Sequence, residues 1–408
     1  MEKPRTVYNG VDPTADSLHV GHLVPLMNLR RFQKFGHKPI VLAGGATGTI
    51  GDPSGKSEER KLITKEQVEY NIRGIEKQIR KFLRFDDSPT GALLVNNYDW
   101  LSKFSYIDFL RDVGKHFPVN IMLSKDSVKM RLENETGSNS GGLSFTEFSY
   151  MLMQSYDFVH LYRTYGCEMQ IGGSDQWGNI TLGCDFARRV GAVVPPNQLY
   201  GLTSPLLTKS DGKKMGKTET GTLWLDPAKT PPYQFYQYWI NADDADVEKT
   251  LKIFTDLTEE EITALMTEHQ TDPGRRTAQK RLAEEFTKLV HGKEGFDIAN
   301  RATEIFFGGE INELDDTQLD SIFADVPSKE LPRPRLEDGL LLVDALVEAT
   351  LAKSKSEARR TIEQGGAYVN NRNVKDIDAK LGPEHLASET VMVLRTGKKK
   401  YALLRFVS

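Results

Sequence analysis

A chain of 408 residues exceeds what one hydrophobic core usually organises, so two or three domains are expected. Charged residues at 27%, hydrophobics at 38% and a net charge of −4 exclude a disordered acidic chain and a collagen-like repeat, and speak against a basic coat for nonspecific nucleic-acid binding. No apolar stretch approaches the roughly 18–20 residues of a membrane span, no membrane partner is expected, and the opening residues lack a signal-peptide core, which makes the cytoplasm the expected location. Two cysteines, Cys167 and Cys184, cannot build a disulfide framework or a four-ligand zinc site.

Val7 to Val11 reads as a strand and Leu18 to Phe35 as an amphipathic helix. Pro39 to Ala43, Ala92 to Asn96 and Met169 to Gly172 read as further strands, with long amphipathic stretches at Thr64 to Leu83 and Phe145 to Tyr165. This alternation predicts an α/β fold built on a doubly wound, mostly parallel sheet, with ligands beyond the carboxyl ends of its strands. After Pro227 the pattern turns helical, at Ala245 to Phe254, Glu259 to His269 and Arg275 to His291, with Thr258 and Glu261 spaced as a capping box. The prolines between Val326 and Pro334 predict a linker, because they block helix and ladder alike. Beyond it lie about seventy residues, enough for a small α+β module.

Leu18-His19-Val20-Gly21-His22-Leu23 follows the first strand and opens a helix, whose N–H groups and dipole suit an anion. Gly21 lets a phosphate approach the backbone, and His19 and His22 share one face. Such a pair alone is more often two surface histidines. Lys214-Met215-Gly216-Lys217-Thr218 lies in a glycine-flanked loop downstream, where two lysines can wrap a triphosphate and neutralise charge moving onto pyrophosphate. Together the two motifs are far more specific than either alone.

The pair resembles the signature motifs of class I aminoacyl-tRNA synthetases. Tyr8-x-Gly10-x-Asp12-Pro13-Thr14 with Ser17-Leu18-His19, Gly44 to Gly48 with Ile50 to Gly55, and Gly172 to Asn179 resemble the tyrosyl-tRNA synthetases of bacterial type over essentially the whole chain. Seven residues precede Tyr8, where that family usually carries a further helix. Gly216 and Thr218 stand where its usual motif has serines, and Pro25 is expected to loosen or kink the helix after the histidines.

Tyr150, Gln154 and Asp157 fall on one helical face, and spacing alone slightly favours a rim facing water. The resemblance implies otherwise. It assigns Asp157 and Tyr8 to the substrate phenol, and Tyr150, Gln154 and Asp52 to its ammonium group, with Gln176 lining the pocket. Asp175 would bind the ATP ribose, and Thr14 would join His19 at the γ-phosphate. The catalytic set implied is Thr14, His19, His22, Lys214, Lys217 and Thr218, and the ATP-binding set Asp12, Gly21, Gly173, Asp175, Lys214, Met215, Gly216 and Lys217. ATP is then a substrate accompanied by Mg2+, with no tightly bound cofactor and no resident metal. The tyrosine carboxylate attacks the α-phosphate, so catalysis is positioning and charge stabilisation.

Lys353, Lys355, Arg359, Arg360, Arg372 and Lys375 oppose only Glu357 and Glu363, and Arg395 to Arg405 adds five bases and no acid. The segment also resembles an S4 RNA-binding domain, so tRNA-Tyr is the expected partner, with Lys353, Lys355, Arg359 and Arg360 contacting it. The division implied is a Rossmann-like catalytic domain over 1–222 with an inserted connective and dimerisation region, an α-helical anticodon-region domain over 223–325, a linker over 326–336, and the S4 domain over 337–408. Phe145 and its neighbours resemble the family's dimer surface, so a homodimer is expected. The expected function is tyrosine–tRNA ligation through tyrosyl-adenylate. The alternatives are a related synthetase of another substrate, such as tryptophan, and a non-catalytic RNA-binding paralogue.

Overall fold

The computed structural model describes residues 3–54, 63–133, 143–218, 221–311, 314–323 and 326–407. The chain divides into one unit of Met1–Lys229 with Asp243–Ala278, and a second of Thr230–Ala242 with Gln279–Ser408.

The first unit is built on β1 (Thr6–Val11), β2 (Lys38–Ala43), β3 (Leu93–Asn96), β4 (Cys167–Gly173) and β5 (Tyr200–Ser204). They lie in the order β3-β2-β1-β4-β5 with every neighbouring pair parallel. The apolar run of β2 is buried along almost its whole length, as a parallel strand covered on both faces requires. β5 has no counterpart in the sequence reading because Tyr-Gly-Leu-Thr-Ser carries neither alternation nor an apolar run.

Several of the helices begin where a polar side chain caps them. α1 (Val20–Lys34) starts two residues later than its apolar pattern suggests, because His19 is its extended N-cap, and it continues through Pro25 as one element. A four-residue turn, α2 (Thr47–Ile50), follows β2. α3 (Lys65–Phe82) is capped by Thr64 and buries Val68, Ile75, Ile79 and Phe82 at helical spacing. It also buries two amides that brace the chain ahead of the histidines. Asn71 donates to the Pro13 carbonyl (2.8 Å), and Gln78 accepts from the Leu18 N–H (2.8 Å). A Cβ on Gly74 would stand 2.1 Å from the Asp16 carbonyl oxygen, so only glycine permits this approach.

Four short helices follow β3: α4 (Tyr98–Leu101), α5 (Tyr106–Asp112), α6 (Val119–Leu123) and α7 (Asp126–Glu133). α8 (Phe145–Tyr165) has the bounds its periodicity predicts, capped by Ser144 and ended by Gly166 at φ 64°. α9 (Trp177–Arg189) follows β4, and Gly183 brings it close to Phe158 of α8. A two-residue hairpin, β6 (Lys217–Thr218) and β7 (Gly221–Thr222), completes this part.

α10 (Pro232–Ile240) belongs to the second unit, whereas α11 (Asp244–Phe254) and α12 (Glu259–Thr271) belong to the first. The helical stretch expected as one domain over 223–325 is therefore divided. Arg31 explains the attachment of α11, donating to the carbonyls of Lys252 (2.7 Å) and Ile253 (2.8 Å) at its end, while Arg30 pairs with Asp256 (2.7 Å). The capping box of Thr258 and Glu261 is present.

In the second unit α13 (Thr277–Phe306) consists of two helical segments, and the first ends at His291 as expected. Gly292, at φ 76° and ψ 179°, leaves the helical conformation there, and the second segment runs on to Phe306. α14 (Asp316–Ile322) follows. The segment predicted as a linker over 326–336 is instead ordered as β8 (Ser328–Pro332) and the turn α15 (Pro334–Glu337). β8 is an edge strand paired in parallel with the last strand, and the edge tolerates a proline without its N–H. β9 (Leu340–Leu341), α16 (Leu342–Glu348), α17 (Lys355–Glu363), β10 (Ala367–Val369), β11 (Arg372–Val374), β12 (Lys380–Leu381), β13 (Val391–Thr396) and β14 (Lys400–Val407) complete the chain. The mixed second sheet has the order β11-β10-β13-β14-β8. One face covers Leu346, Ile362, Leu394 and Phe406, and the other packs Tyr401, Val393 and Leu403 against Ile305 and Phe323.

Candidate active site

The carboxyl ends of β1, β2 and β4 converge on a cleft of about 470 Å3. It is lined by every residue expected to meet tyrosine or ATP except Lys217 and Thr218, whose side chains lie outside what is described, as does Gly55.

The two histidines are organised by the backbone. His19 Nδ1 accepts from the Gly21 N–H (3.1 Å), and His22 Nδ1 accepts from the His19 N–H (3.2 Å). Their rings stack with centroids 3.8 Å apart. A nitrogen that accepts carries no proton, so each neutral ring is protonated at Nε2, the edge a phosphate oxygen can use. The helix start thus differs from the sequence expectation. Its first N–H groups are already occupied, Val20 donating to the Leu223 carbonyl at 3.3 Å, and imidazoles take over as donors.

The lysine-bearing loop is docked beside this helix start. The Met215 N–H bonds to Leu207 O (3.1 Å), the Leu223 N–H to Gly216 O (2.9 Å), and His19 pairs across to Trp224. Met215 is buried, while Lys214 reaches the cleft from the exposed side. Gly216 has φ 80°, and a Cβ there would lie 3.1 Å from Val20 Cβ. Glycine in place of serine at this position is therefore suited to the docked backbone.

At the far end of the cleft the face of α8 turns inward. Tyr150, Gln154 and Asp157 are buried, not on a rim facing water as spacing alone slightly favoured. Asp157 accepts from Trp100 Nε1 (2.7 Å) and from Asn97 Nδ2 (3.0 Å). Burial pushes its carboxyl up to about 7, against the lowering effect of those two bonds. Tyr8 is fully buried, its hydroxyl has no hydrogen-bond partner among the described residues, and burial and then the Asp157 charge raise its pKa well above the ordinary range.

Asn97 joins this end to the rest of the site. Its amide also donates to Thr47 Oγ1 (3.0 Å), which donates to Asp12 Oδ1 (2.8 Å), while Tyr150 donates to Asp12 Oδ2 (2.9 Å). A Cβ on Gly44 would fall 2.1 Å from Asp12 Oδ1, so glycine leaves this carboxylate its place. On the other wall Gln176 donates to Asp52 Oδ2 (2.7 Å), and Asn179 donates to Gln154 Oε1 (3.0 Å). The Ser54 N–H bonds to Asp52 Oδ1 (2.9 Å). Thr14, which is exposed, and Asp175, which is half-buried, also line the cleft.

Sequence reasoning gave no role to Asn97, Trp100, Thr47 or Asn179. Asn97 directly follows a predicted strand, where site residues collect, and that position was the one available signal. Trp100 has none, since it lies in a four-residue helix too short to show a pattern.

In the second unit α17 turns Ala358 and Ile362 inward and leaves Lys353, Lys355, Arg359 and Arg360 exposed around it. Lys355 also pairs with Asp344 (2.7 Å). The basic tail divides. Lys398, Lys399 and Lys400 are exposed, but Arg395 is 9% exposed with its guanidinium 3.8 Å from the Tyr368 ring centroid, and Arg405 pairs with Asp320. Those two arginines are engaged within the fold, and the basic surface is smaller than the residue count suggests.

Among the described residues no group of three or more His, Cys, Asp or Glu could hold a metal ion, and no helix is long and apolar enough to cross a membrane.

The family model for class I tRNA synthetases of the tryptophan and tyrosine type matches residues 1–308, and that for the C-terminal domain of tyrosine–tRNA ligases matches residues 318–404. The tyrosine–tRNA ligase of Rhodopirellula baltica is 54% identical over 98% of this chain and 90% of its own length. That of Roseiflexus castenholzii is 52% identical over 100% of this chain and 94% of its own. A truncated mitochondrial tyrosyl-tRNA synthetase from Aspergillus nidulans superposes with a TM-score of 0.65 at 34% identity, covering 74% of this chain and 86% of that one. With relatives of this identity spanning nearly the whole sequence, the chain belongs to the tyrosine–tRNA ligase family of class I tRNA synthetases.

Proposed function

We propose that the protein activates L-tyrosine with ATP, releasing pyrophosphate, and transfers the tyrosyl group from the adenylate to the 3′ end of tRNA-Tyr. The observation that carries this reading is the fully buried Tyr8 hydroxyl, without a partner among the described residues, in the cleft with Asp157. A buried hydroxyl left without a partner is costly, and a substrate phenol satisfies it while donating to the carboxylate. Phenylalanine would leave the Tyr8 hydroxyl without a partner and bring no phenol proton to the carboxylate. Tyrosyl-tRNA synthetases are the standard example of a site that rejects the analogue lacking a hydroxyl in this way.

Asp52, Tyr150 and Gln154 would hold the ammonium group, with Gln176 aligned by Asp52. The substrate carboxylate oxygen forms a bond to the α-phosphorus as the bond to pyrophosphate breaks. No side chain need act as nucleophile or base, so the protein contributes placement and charge. His19 and His22 would donate from Nε2 to phosphate oxygens, with Thr14 beside them. Lys214, Lys217 and Thr218 would follow the departing pyrophosphate, and Asp175 would accept from the ribose. Asp12, Gly21, Gly173, Met215 and Gly216 complete the nucleotide contacts. Mg2+ would enter with ATP as part of the substrate.

Residues 1–222 would form the catalytic domain, and the second sheet with its helices, β8 included, an S4-type module binding tRNA through Lys353, Lys355, Arg359 and Arg360. Exposed Tyr106, Ile107, Val119, Leu123 and Phe145 support a homodimer through the insertion and the start of α8. The cytoplasm is the location proposed. Tyrosine-dependent exchange between ATP and labelled pyrophosphate tests the reading. Exchange driven by tyrosine and not by phenylalanine or tryptophan is expected, and its absence at every ATP level would overturn it.

A further inference from the structure

The imidazole of His160 has no part in the chemistry above. It lies on α8 one turn beyond Asp157, and its ring stacks on the indole of Trp100 with centroids 4.2 Å apart and planes 19° from parallel. Trp100 is 8% exposed, and its Nε1 makes the 2.7 Å bond to Asp157 Oδ1. An N–H bond weakens steeply as its angle closes, so this bond depends on the plane of the indole. A flat ring lying nearly parallel to that plane restrains it in a way an aliphatic side chain of equal volume does not.

We propose that His160 is a positioning residue for substrate selection: by stacking on Trp100 it holds the indole N–H on the carboxylate that receives the substrate phenol. The inference rests on the reading of Asp157 as the phenol's partner. The groups around the imidazole fit this role. Thr164 Oγ1 stands 3.5 Å from His160 Nε2, and the Tyr156 ring lies beside it at 6.2 Å. The charges acting on it are Lys103, after α4, and Arg163, on α8 itself. Burial first, and then these two cations, hold the imidazole pKa below its ordinary value. The ring therefore stays neutral where Asp157 titrates, and the stack persists across that range.

The test measures kcat/KM for tyrosine against pH in pyrophosphate exchange, with KM for ATP as an internal control. His160→Ala and His160→Leu remove the flat face, and His160→Phe retains it without a titrating group. Loss of part of a charge-assisted bond predicts a fall in kcat/KM of roughly threefold to tenfold for Ala and Leu. Their acid limb moves to higher pH, because Asp157 loses a donor that favours its ionised form, and KM for ATP is unchanged. Phe restores the parent profile. In a Trp100→Phe background the effect of His160→Ala disappears, since the bond it acts through is gone. If Ala destabilises the fold, the Leu and Phe pair carries the comparison at similar volume. An acid limb that stays in place in both Ala and Leu variants overturns the proposal, as does an undiminished effect without the Trp100 indole. Failure of the underlying reading looks different: Asp157→Asn would then leave the preference for tyrosine over phenylalanine intact.

Discussion

Replacing Tyr8 by phenylalanine should move stability and substrate binding in opposite directions. In the free protein the Tyr8 hydroxyl is fully buried and has no partner among the described residues. Such a group costs about 1–3 kcal/mol, whereas Tyr8→Phe keeps the ring and its edge contact with Phe158, centroids 5.2 Å apart. Removing the oxygen therefore stabilises the first unit by about 1 kcal/mol. For a body of this size that is a rise of roughly 2–4 °C in its calorimetric transition. With tyrosine bound the hydroxyl gains a partner, so the variant forfeits a neutral hydrogen bond of about 0.5–1.5 kcal/mol, or roughly threefold to tenfold in kcat/KM. Calorimetry of the free protein and pyrophosphate exchange at limiting tyrosine measure the two halves. A variant both less stable and weaker in binding would show that the hydroxyl is structural. A more stable variant with unchanged kcat/KM would show that it never meets the substrate.

Asp157 provides a pH test. Its carboxyl stands at about 7 in the folded chain against an ordinary 3.8, so the native state holds a proton that the unfolded state has lost. Stability from this group is therefore present below about pH 4 and lost as pH rises to about 7. The advantage of Asp157→Asn in urea midpoint should be larger at pH 8 than at pH 4, and an equal advantage at both would refute the buried titration. Gly216→Ala meets both φ 80° and the 3.1 Å approach to Val20, which costs about 1–2 kcal/mol in the docked loop. Exchange should lose up to about tenfold in kcat with KM for tyrosine unchanged, and an altered tyrosine KM would place the loop elsewhere in the reaction. Arg359→Ala should weaken tRNA binding and lower its salt slope by about one, leaving exchange untouched. Arg395→Ala should instead lower the stability of the second unit by about 1–2 kcal/mol through the lost stack on Tyr368. Identical behaviour of the two variants would refute the division of the basic tail.

What was legible in the order of residues is whatever contiguous pattern encodes. The parallel sheet, the bounds of α8, the capping box at Thr258, and the histidine and lysine motifs could all be read because each depends on neighbours a few residues apart. The resemblance to the synthetase motifs, and not spacing, named about half of the residues lining the cleft. Which buried groups complete that cleft emerged only from the packed layers. Asn97 and Trp100 reach Asp157 across about sixty positions of chain, and no periodicity records a hydrogen bond between distant segments. Packing likewise makes residues 328–332, within the proline-rich stretch 326–334, an edge strand, since a neighbouring ladder determines whether a missing N–H matters. Arg395 shows the same limit for charge. A count along the chain places it among phosphate-binding bases, whereas its position on a sheet face beside Tyr368 buries it. Local pattern specifies elements and their faces; burial and polar partners are properties of the assembled layers, and there the assignments changed.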